Sequence, residues 1–153
     1  MAYVLGFFAA DGNMIRNKRG AHFIEFQITD RDLLIKIRKA LGSEHKITTR
    51  KRNRNWKTIY RLQLGSKEIF DDLLILGMLP RKSKIISLPK IPDKYFAHFL
   101  RGYFDGDGNV VVAKYRRASR KNKLCKTILS GFTSGSRIFL ERMHHKTKKL
   151  AGI

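Results

Sequence analysis

The sequence predicts an α+β fold made of two related units, and three observations predict it. A nonapeptide occurs twice, Leu5-Gly6-Phe7-Phe8-Ala9-Ala10-Asp11-Gly12-Asn13 and Arg101-Gly102-Tyr103-Phe104-Asp105-Gly106-Asp107-Gly108-Asn109, with five of nine positions identical. Each copy closes an apolar helical stretch and leads into alternating strands and then an amphipathic helix. The 153 residues are 42% hydrophobic and 10% aromatic, enough for a true core and too apolar for a disordered chain.

The first nonapeptide ends a helix. Asn13 to Arg19 and Ala21 to Thr29 then read as a hairpin, with His22, Ile24, Phe26 and Ile28 alternating against Phe23, Glu25, Gln27 and Thr29. Asp30 or Asp32 caps a helix through Leu41 that stops at Gly42 and carries Leu33, Leu34 and Ile37 at helical spacing. A second hairpin runs from His45 to Arg50 and from Trp56 to Leu64, and Ser66 caps a helix ending at Gly77. The stretch Leu79 to Pro92 holds Pro80, Pro89 and Pro92, so it reads as a linker. Asp93 opens the second apolar helix, Val110 to Tyr115 and Thr127 to Thr133 form a longer hairpin, and Ser134 or Ser136 begins a last helix. The expected organisation is a first unit over 1–79, a linker over 80–92 and a second unit over 93–153. That second unit is expected to be incomplete, without a second hairpin and closing helix.

Thirty-three Lys and Arg against 12 Asp and Glu give a formal charge of +21. A folded chain of that charge favours polyanions, because binding phosphates relieves self-repulsion and releases counterions. Nucleic acid is the first partner class, with a ribosomal-type structural protein and an anionic-membrane binder as alternatives. The second alternative is weak, because the basic residues lie in turns and strands rather than along one amphipathic helix. No apolar run is long enough to span a membrane, and the start lacks the basic region of a secretory signal. The single Cys125 excludes an internal disulfide and points to a reducing, intracellular compartment. The five histidines lack paired metal-ligand spacing, which leaves them surface or packing roles.

Both nonapeptides place a glycine, a small residue four later and then an aspartate: Gly6, Ala10, Asp11 and Gly102, Gly106, Asp107. Residues four apart share a helix face, and faces without large side chains let two backbones approach closely. Parallel packing about a pseudo-twofold axis brings Asp11 and Asp107 side by side. Adjacent carboxylates repel unless one is protonated or a cation bridges them, and Mg²⁺ suits a site of few carboxylates completed by water and phosphate oxygens. That chemistry is metal-assisted phosphodiester hydrolysis. Taken singly, each string also reads as nothing more than a helix end entering a hairpin.

The two nonapeptides resemble the signature of the LAGLIDADG homing endonucleases, and the element order is similar to that family's αββαββα unit. The resemblance implies a two-repeat monomer with two pseudo-twofold-related lobes, whose antiparallel sheets sit on double-stranded DNA with a long, pseudo-palindromic target. It implies catalytic, metal-holding roles for Asp11 and Asp107 with Mg²⁺ as cofactor. An acidic position two residues earlier is Asp105 in the second copy but Ala9 in the first. The stretch Leu79-Pro80-Arg81-Lys82-Ser83-Lys84 is similar to a family turn whose lysine lies near the active site. Lys82 is therefore a catalytic candidate, with an ordinary solvated lysine as the alternative. Asp30 matches a polar place near the reacting water, and capping explains it equally well; its second-unit counterpart falls near Ser134.

Outward strand residues are expected to face DNA and read its bases: Phe23, Glu25 and Gln27, then Lys46, Thr48 and Arg50, then Lys57, Arg61 and Gln63. Phosphate contacts are expected from Arg16, Lys18 and Arg19, from Arg52 and Arg54, and from Lys114, Arg116, Arg117, Arg120, Lys121 and Lys123. Trp56 is expected to pack under its hairpin rather than stack on a base. Two other readings stay open. One is an RNA-binding intron maturase with intron RNA as partner, and the other is a non-catalytic DNA-binding fragment of the same fold.

Overall fold

Helix α1 (Ala2–Asp11) lies in parallel against α4 (Asp93–Asp107), and everything else is arranged on either side of this pair. The computed structural model describes residues 1–51, 53, 55–117 and 123–153, with the side chain of Arg117 outside that set. Four of the expected interface residues, Arg52, Arg54, Arg120 and Lys121, lie outside the described residues.

After α1 come β1 (Gly12–Arg16), β2 (His22–Ile28), α2 (Arg31–Ala40), β3 (Thr48–Arg50), β4 (Ile59–Gly65) and α3 (Lys67–Ile75). The four strands form one antiparallel sheet in the order β1-β2-β4-β3. After α4 come β5 (Gly108–Arg117) and β6 (Lys123–Phe132), a separate antiparallel pair, and α5 (Arg137–Ala151). Among the described residues no helix is long and apolar enough to cross a membrane.

The helix starts follow from short polar side chains. Asp30, not Asp32, caps α2 by accepting from the Leu33 amide at 3.0 Å; Asp32 sits in the first turn, where its charge faces the positive helix end. Ser66 caps α3 and Ser136 caps α5, while Ser134 accepts from the Ser136 amide at 3.2 Å. The inner face of the first sheet is the expected one: Ile24, Phe26, Leu62 and Leu64 are buried against Leu34 and Ile37 of α2 and Phe70 and Leu73 of α3. Each such side chain contributes about 2 kcal/mol by leaving water.

Strand lengths differ from expectation in both directions. The first strand stops at Arg16 because Asn17 turns the chain, its side chain accepting from the amides of Arg19 and Ala21 at 3.0 and 2.8 Å. Only Thr48 to Arg50 of the segment expected from His45 pairs with β4, and the strand expected to begin at Trp56 begins at Ile59. Trp56 thus falls beyond the pairing register and is 56% exposed, so it does not pack under the hairpin. The second-unit hairpin is longer than expected, pairing continuously from Gly108↔Phe132 to Arg117↔Lys123. It leaves Val110, Val112 and Ile128 exposed, while α5 packs instead on α4, with the Phe139 ring centroid 4.7 Å from that of Tyr103.

The α1–α4 contact is backbone on backbone. A Cβ on Gly6 would stand 2.0 Å from the Phe99 carbonyl oxygen, and one on Gly102 would stand 2.0 Å from the Tyr3 carbonyl oxygen. The two contacts are the same contact seen from either repeat, since the repeats are offset by 96 residues. Phe7, Phe8, Phe99 and Tyr103 close around it. Gly6→Ala or Gly102→Ala is therefore expected to cost about 3 kcal/mol or more, lowering Tm by roughly 6–12 °C. Ile75→Ala, at an 83% exposed position, should shift stability by less than about 0.5 kcal/mol. Differential scanning calorimetry distinguishes the two; equal shifts would refute the close-approach account.

Candidate active site

Both signature helices end identically. Gly12 and Gly108 leave the helix in extended conformation, their amides bonding back to the carbonyls of Phe8 and Phe104. A side chain at either would collide with the Phe8 or Phe104 ring, 2.1 and 2.4 Å from its Cβ. The last helical residue in each case is the aspartate, so Asp11 and Asp107 emerge at the same end of the pair. A Cβ on Gly106 would be 2.5 Å from Ala10 Cβ and 3.3 Å from Asp11 Oδ2, so only small residues let the two ends meet.

The carboxylates feel that proximity. Partial withdrawal from water raises Asp11 above the ordinary carboxylate range, and the charge of Asp107 raises it further, against an opposing pull from Lys82. Asp107 is also raised by withdrawal from water, with Tyr103 and Lys82 acting the other way. Tyr103 itself donates to the Thr133 carbonyl at 2.7 Å, and its burial pushes the phenol up to about 12.

Lys82 is not a solvated lysine. It opens a 3₁₀ turn (Lys82–Lys84), is 6% exposed, donates through Nζ to the Gly12 carbonyl and lies 5.4 Å from the Phe8 ring centroid. The preceding Arg81 is the one non-glycine residue with positive φ among those described, at 57°. That conformation costs a β-carbon-bearing residue about 1 kcal/mol or more, and it turns the chain so that Lys82 points under the helix pair. The turn is held from the other side: Ser136 donates to the Ile86 carbonyl at 2.6 Å, and a Cβ on Gly135 would meet the Ser83 oxygen at 2.6 Å. Burial brings the ammonium down to about 8, although both aspartates favour its charged form.

Asp30 and Asp105 line the same open pocket as Asp11, beside Phe7 and Gln27. Asp105 accepts from the Tyr3 hydroxyl at 2.7 Å, bracing one helix against the other. Burial and that carboxylate push the Tyr3 phenol up to about 12. Among the described residues no group of three or more His, Cys, Asp and Glu is arranged to hold an ion. The available donor set is thus the Asp11–Asp107 pair of hard oxygens, which fits a divalent cation that keeps water and substrate oxygens in its remaining positions.

Residues 1–74 match the sequence profile of the LAGLIDADG-like domain. No curated protein matches the sequence. Among solved structures, the meganuclease I-SmaMI bound to uncleaveable DNA is similar over 98% of this chain and 72% of its own, with a TM-score of 0.61 at 13% identity. The LAGLIDADG homing endonuclease I-LtrWI bound to target DNA is similar over 99% and 72%, with a TM-score of 0.61 at 14% identity. At that identity the likeness shows the fold. Residues 1–74 form a LAGLIDADG-like domain, and the whole chain shares the fold of the LAGLIDADG endonucleases.

The LAGLIDADG sheet face opposite the core carries several of the expected interface residues together. Gln27, Arg61, Gln63 and Thr48 share it through the pairings Gln27↔Arg61, Glu25↔Gln63 and Thr48↔Arg61. Arg50 continues the face opposite Ile59, and Lys46 and Lys57 are exposed in the loops before β3 and β4. Two expectations need correction. Glu25 is only 3% exposed, because Gln27, Arg61 and Gln63 close over its carboxylate, so it does not offer itself to a partner. Arg16 pairs with His22, which puts it on the helix side of the sheet, away from Gln27 and Arg61. Lys18 and Arg19 are exposed in the β1–β2 turn. In the second hairpin, Lys114 and Arg116 share the side of Val110 and Val112, while Lys123 lies on the other.

Sequence reasoning missed Tyr3 and Tyr103, whose only signal was an aromatic residue three before Gly6 in one helix and directly after Gly102 in the other. For Lys82 the sign of linkage is definite. Its folded pKa, about 8, lies below the ordinary 10.5. The folded state therefore binds fewer protons in that window, and stability should rise with pH from about 8 to 10.5. Denaturant titrations should show this rise in the native protein relative to Lys82→Met; parallel pH profiles for the two proteins would exclude a buried ammonium.

Proposed function

We propose that this LAGLIDADG protein is a site-specific endonuclease that hydrolyses both strands of duplex DNA, with Asp11 and Asp107 holding the divalent metal and Lys82 assisting. The observation that carries this reading is the meeting of two carboxylates, equivalent by the internal repeat, at the junction of two antiparallel sheets in a chain of charge +21. Duplex DNA has a local dyad relating its strands, and the helix pair has a matching pseudo-dyad, so each aspartate serves one strand.

Bound Mg²⁺ would supply Lewis-acid polarisation of the scissile phosphate and charge neutralisation at the leaving oxygen. The chain's own part is positioning and electrostatics. Asp11 and Asp107 lie close enough to repel, and this keeps both carboxylates poised for a cation. Lys82 sits beneath them with Nζ fixed on the Gly12 carbonyl, where its charge offsets negative charge gathering on phosphate. The wide face of Gln27, Thr48, Arg61 and Gln63 lies along the major groove, and Lys18, Arg19, Lys46, Lys57 and Lys123 follow the phosphates. Residues 1–79 and 93–153 form the two half-site readers, joined by 80–92.

The solved relatives support this reading. I-LtrWI is bound to target DNA, and I-SmaMI is bound to an uncleaved DNA target in the presence of calcium ions, the latter with a TM-score of 0.60 to this chain.

The test is cleavage selection on a randomised duplex library in Mg²⁺, followed by assays on the selected site. Asp11→Asn with Asp107→Asn should lower cleavage by at least about 10³-fold while leaving binding within about threefold. Chelation should abolish cleavage reversibly. If about ten phosphates are neutralised, log Kd should change with log salt by about nine per decade. Unimpaired cleavage by the double variant, or tight binding to structured RNA without duplex cleavage, would refute the proposal.

A further inference from the structure

Glu25 occupies an odd place for an acidic side chain. It lies mid-strand in β2, its neighbours Ile24 and Phe26 enter the core, and it therefore projects from the opposite face, where the +21 chain would meet an anion. Yet it is 3% exposed. Its Oε2 accepts from Arg61 Nε at 2.5 Å and from Gln63 Nε2 at 3.2 Å, and Arg61 also pairs with it through Nη2. Its Oε1 accepts from Gln27 Nε2 at 2.5 Å. Among the described residues no buried side-chain polar atom lacks a partner.

A carboxylate only accepts, so each glutamine must turn its NH₂ toward Glu25 and its carbonyl oxygen away. Free glutamine amides rotate to suit adenine, and a free arginine reads guanine through two parallel N–H groups. In this network both amides are fixed in one sense and the Nε–Nη2 edge of Arg61 is already used. What the network leaves free is the two amide carbonyl oxygens, one N–H of each amide, and the Nη1–Nη2 end of Arg61, which still offers two parallel N–H groups. In the major groove that end of Arg61 matches guanine O6 and N7, and the carbonyl oxygens match the amino groups of adenine N6 and cytosine N4.

The internal repeat supplies an independent comparison. Asn13 pairs with Glu25 in the first sheet, and its counterpart Asn109 pairs with Gly131 in the second. Where the first sheet holds a carboxylate the second has no side chain, and the next pair on that face, Val111 and Leu129, is exposed. The two halves would therefore read their half-sites by different chemistry.

We infer that Glu25 is a positioning residue for specificity: without touching DNA, it fixes Arg61 to read guanine and Gln27 and Gln63 to read adenine or cytosine in the first half-site. The inference rests on the DNA-endonuclease reading above. The experiment is binding selection on a randomised duplex library, comparing the native protein with Glu25→Gln, which lets the amides reorient and frees Arg61. The expected result is a native preference for guanine at one position of one half-site, with adenine or cytosine preferred beside it. In Glu25→Gln each of these preferences should weaken about tenfold, while affinity for unselected DNA and the second half-site stay unchanged. Should Glu25→Gln fail to fold, Gln63→Met leaves the ion pair in place and should erase preference at one position only. A base profile unchanged in every variant that folds would overturn the role of Glu25 and leave the endonuclease reading standing. Selection of no duplex sequence by the native protein would overturn both.

Discussion

The structure depends on one contact, the backbone approach of α1 and α4 through Gly6 and Gly102. Each glycine faces a carbonyl of the other helix at a distance that no side chain tolerates. Because the contact is equivalent from both repeats, it fixes the helices in register as well as in distance. The register carries down one turn to Ala10 and Gly106, and from there to Asp11 and Asp107. A carboxylate pair at the protein's midline is thus the geometric result of two glycines set five residues earlier in the same helices. The aromatic residues around them, Phe7 and Tyr103 in matching positions, stabilise the pair but do not set its spacing.

Electrostatics around that midline runs against the rest of the molecule. The first 79 residues carry a net charge of +7 and the remainder +14. Against that field both aspartates are raised, since withdrawal from water outweighs the stabilisation that Lys82 provides. Lys82 is likewise depressed although it faces two acids. All three groups are held in conditions that disfavour their own charge, an arrangement found where ionisable groups are positioned for chemistry rather than for stability. The non-glycine left-handed turn at Arg81 has the same character: local strain that delivers Lys82 to its place.

Much of this was legible in the sequence, because the decisive features were local or repeated. The helix pair followed from small residues four apart, and the inner sheet face followed from alternation in Ile24, Phe26, Leu62 and Leu64. What was not legible depended on long-range pairing. Alternation placed Glu25 outward, but its burial required β2 and β4 to align so that Arg61 and Gln63 close over it. Arg16 read as an interface residue until its pairing with His22 put it on the other side. Trp56 read as packed because its strand was expected to begin three residues too early, whereas pairing starts at Ile59. Lys82 stood in a basic turn with nothing local to distinguish it from Arg81 or Lys84; only the fold of 80–92 against α5 buries it.

The central claim is that Asp11 and Asp107 form one electrostatic unit at the joined helix ends. Carbon-detected NMR titration of the Asp11 carboxyl group, in the native protein and in Asp107→Asn, tests it most directly. The native midpoint should lie above the ordinary carboxylate value, and removal of the Asp107 charge should move it down while the shape of Asn preserves the packing. An Asp11 midpoint that does not change between the two proteins would contradict the claim, because carboxylates in this geometry cannot titrate independently.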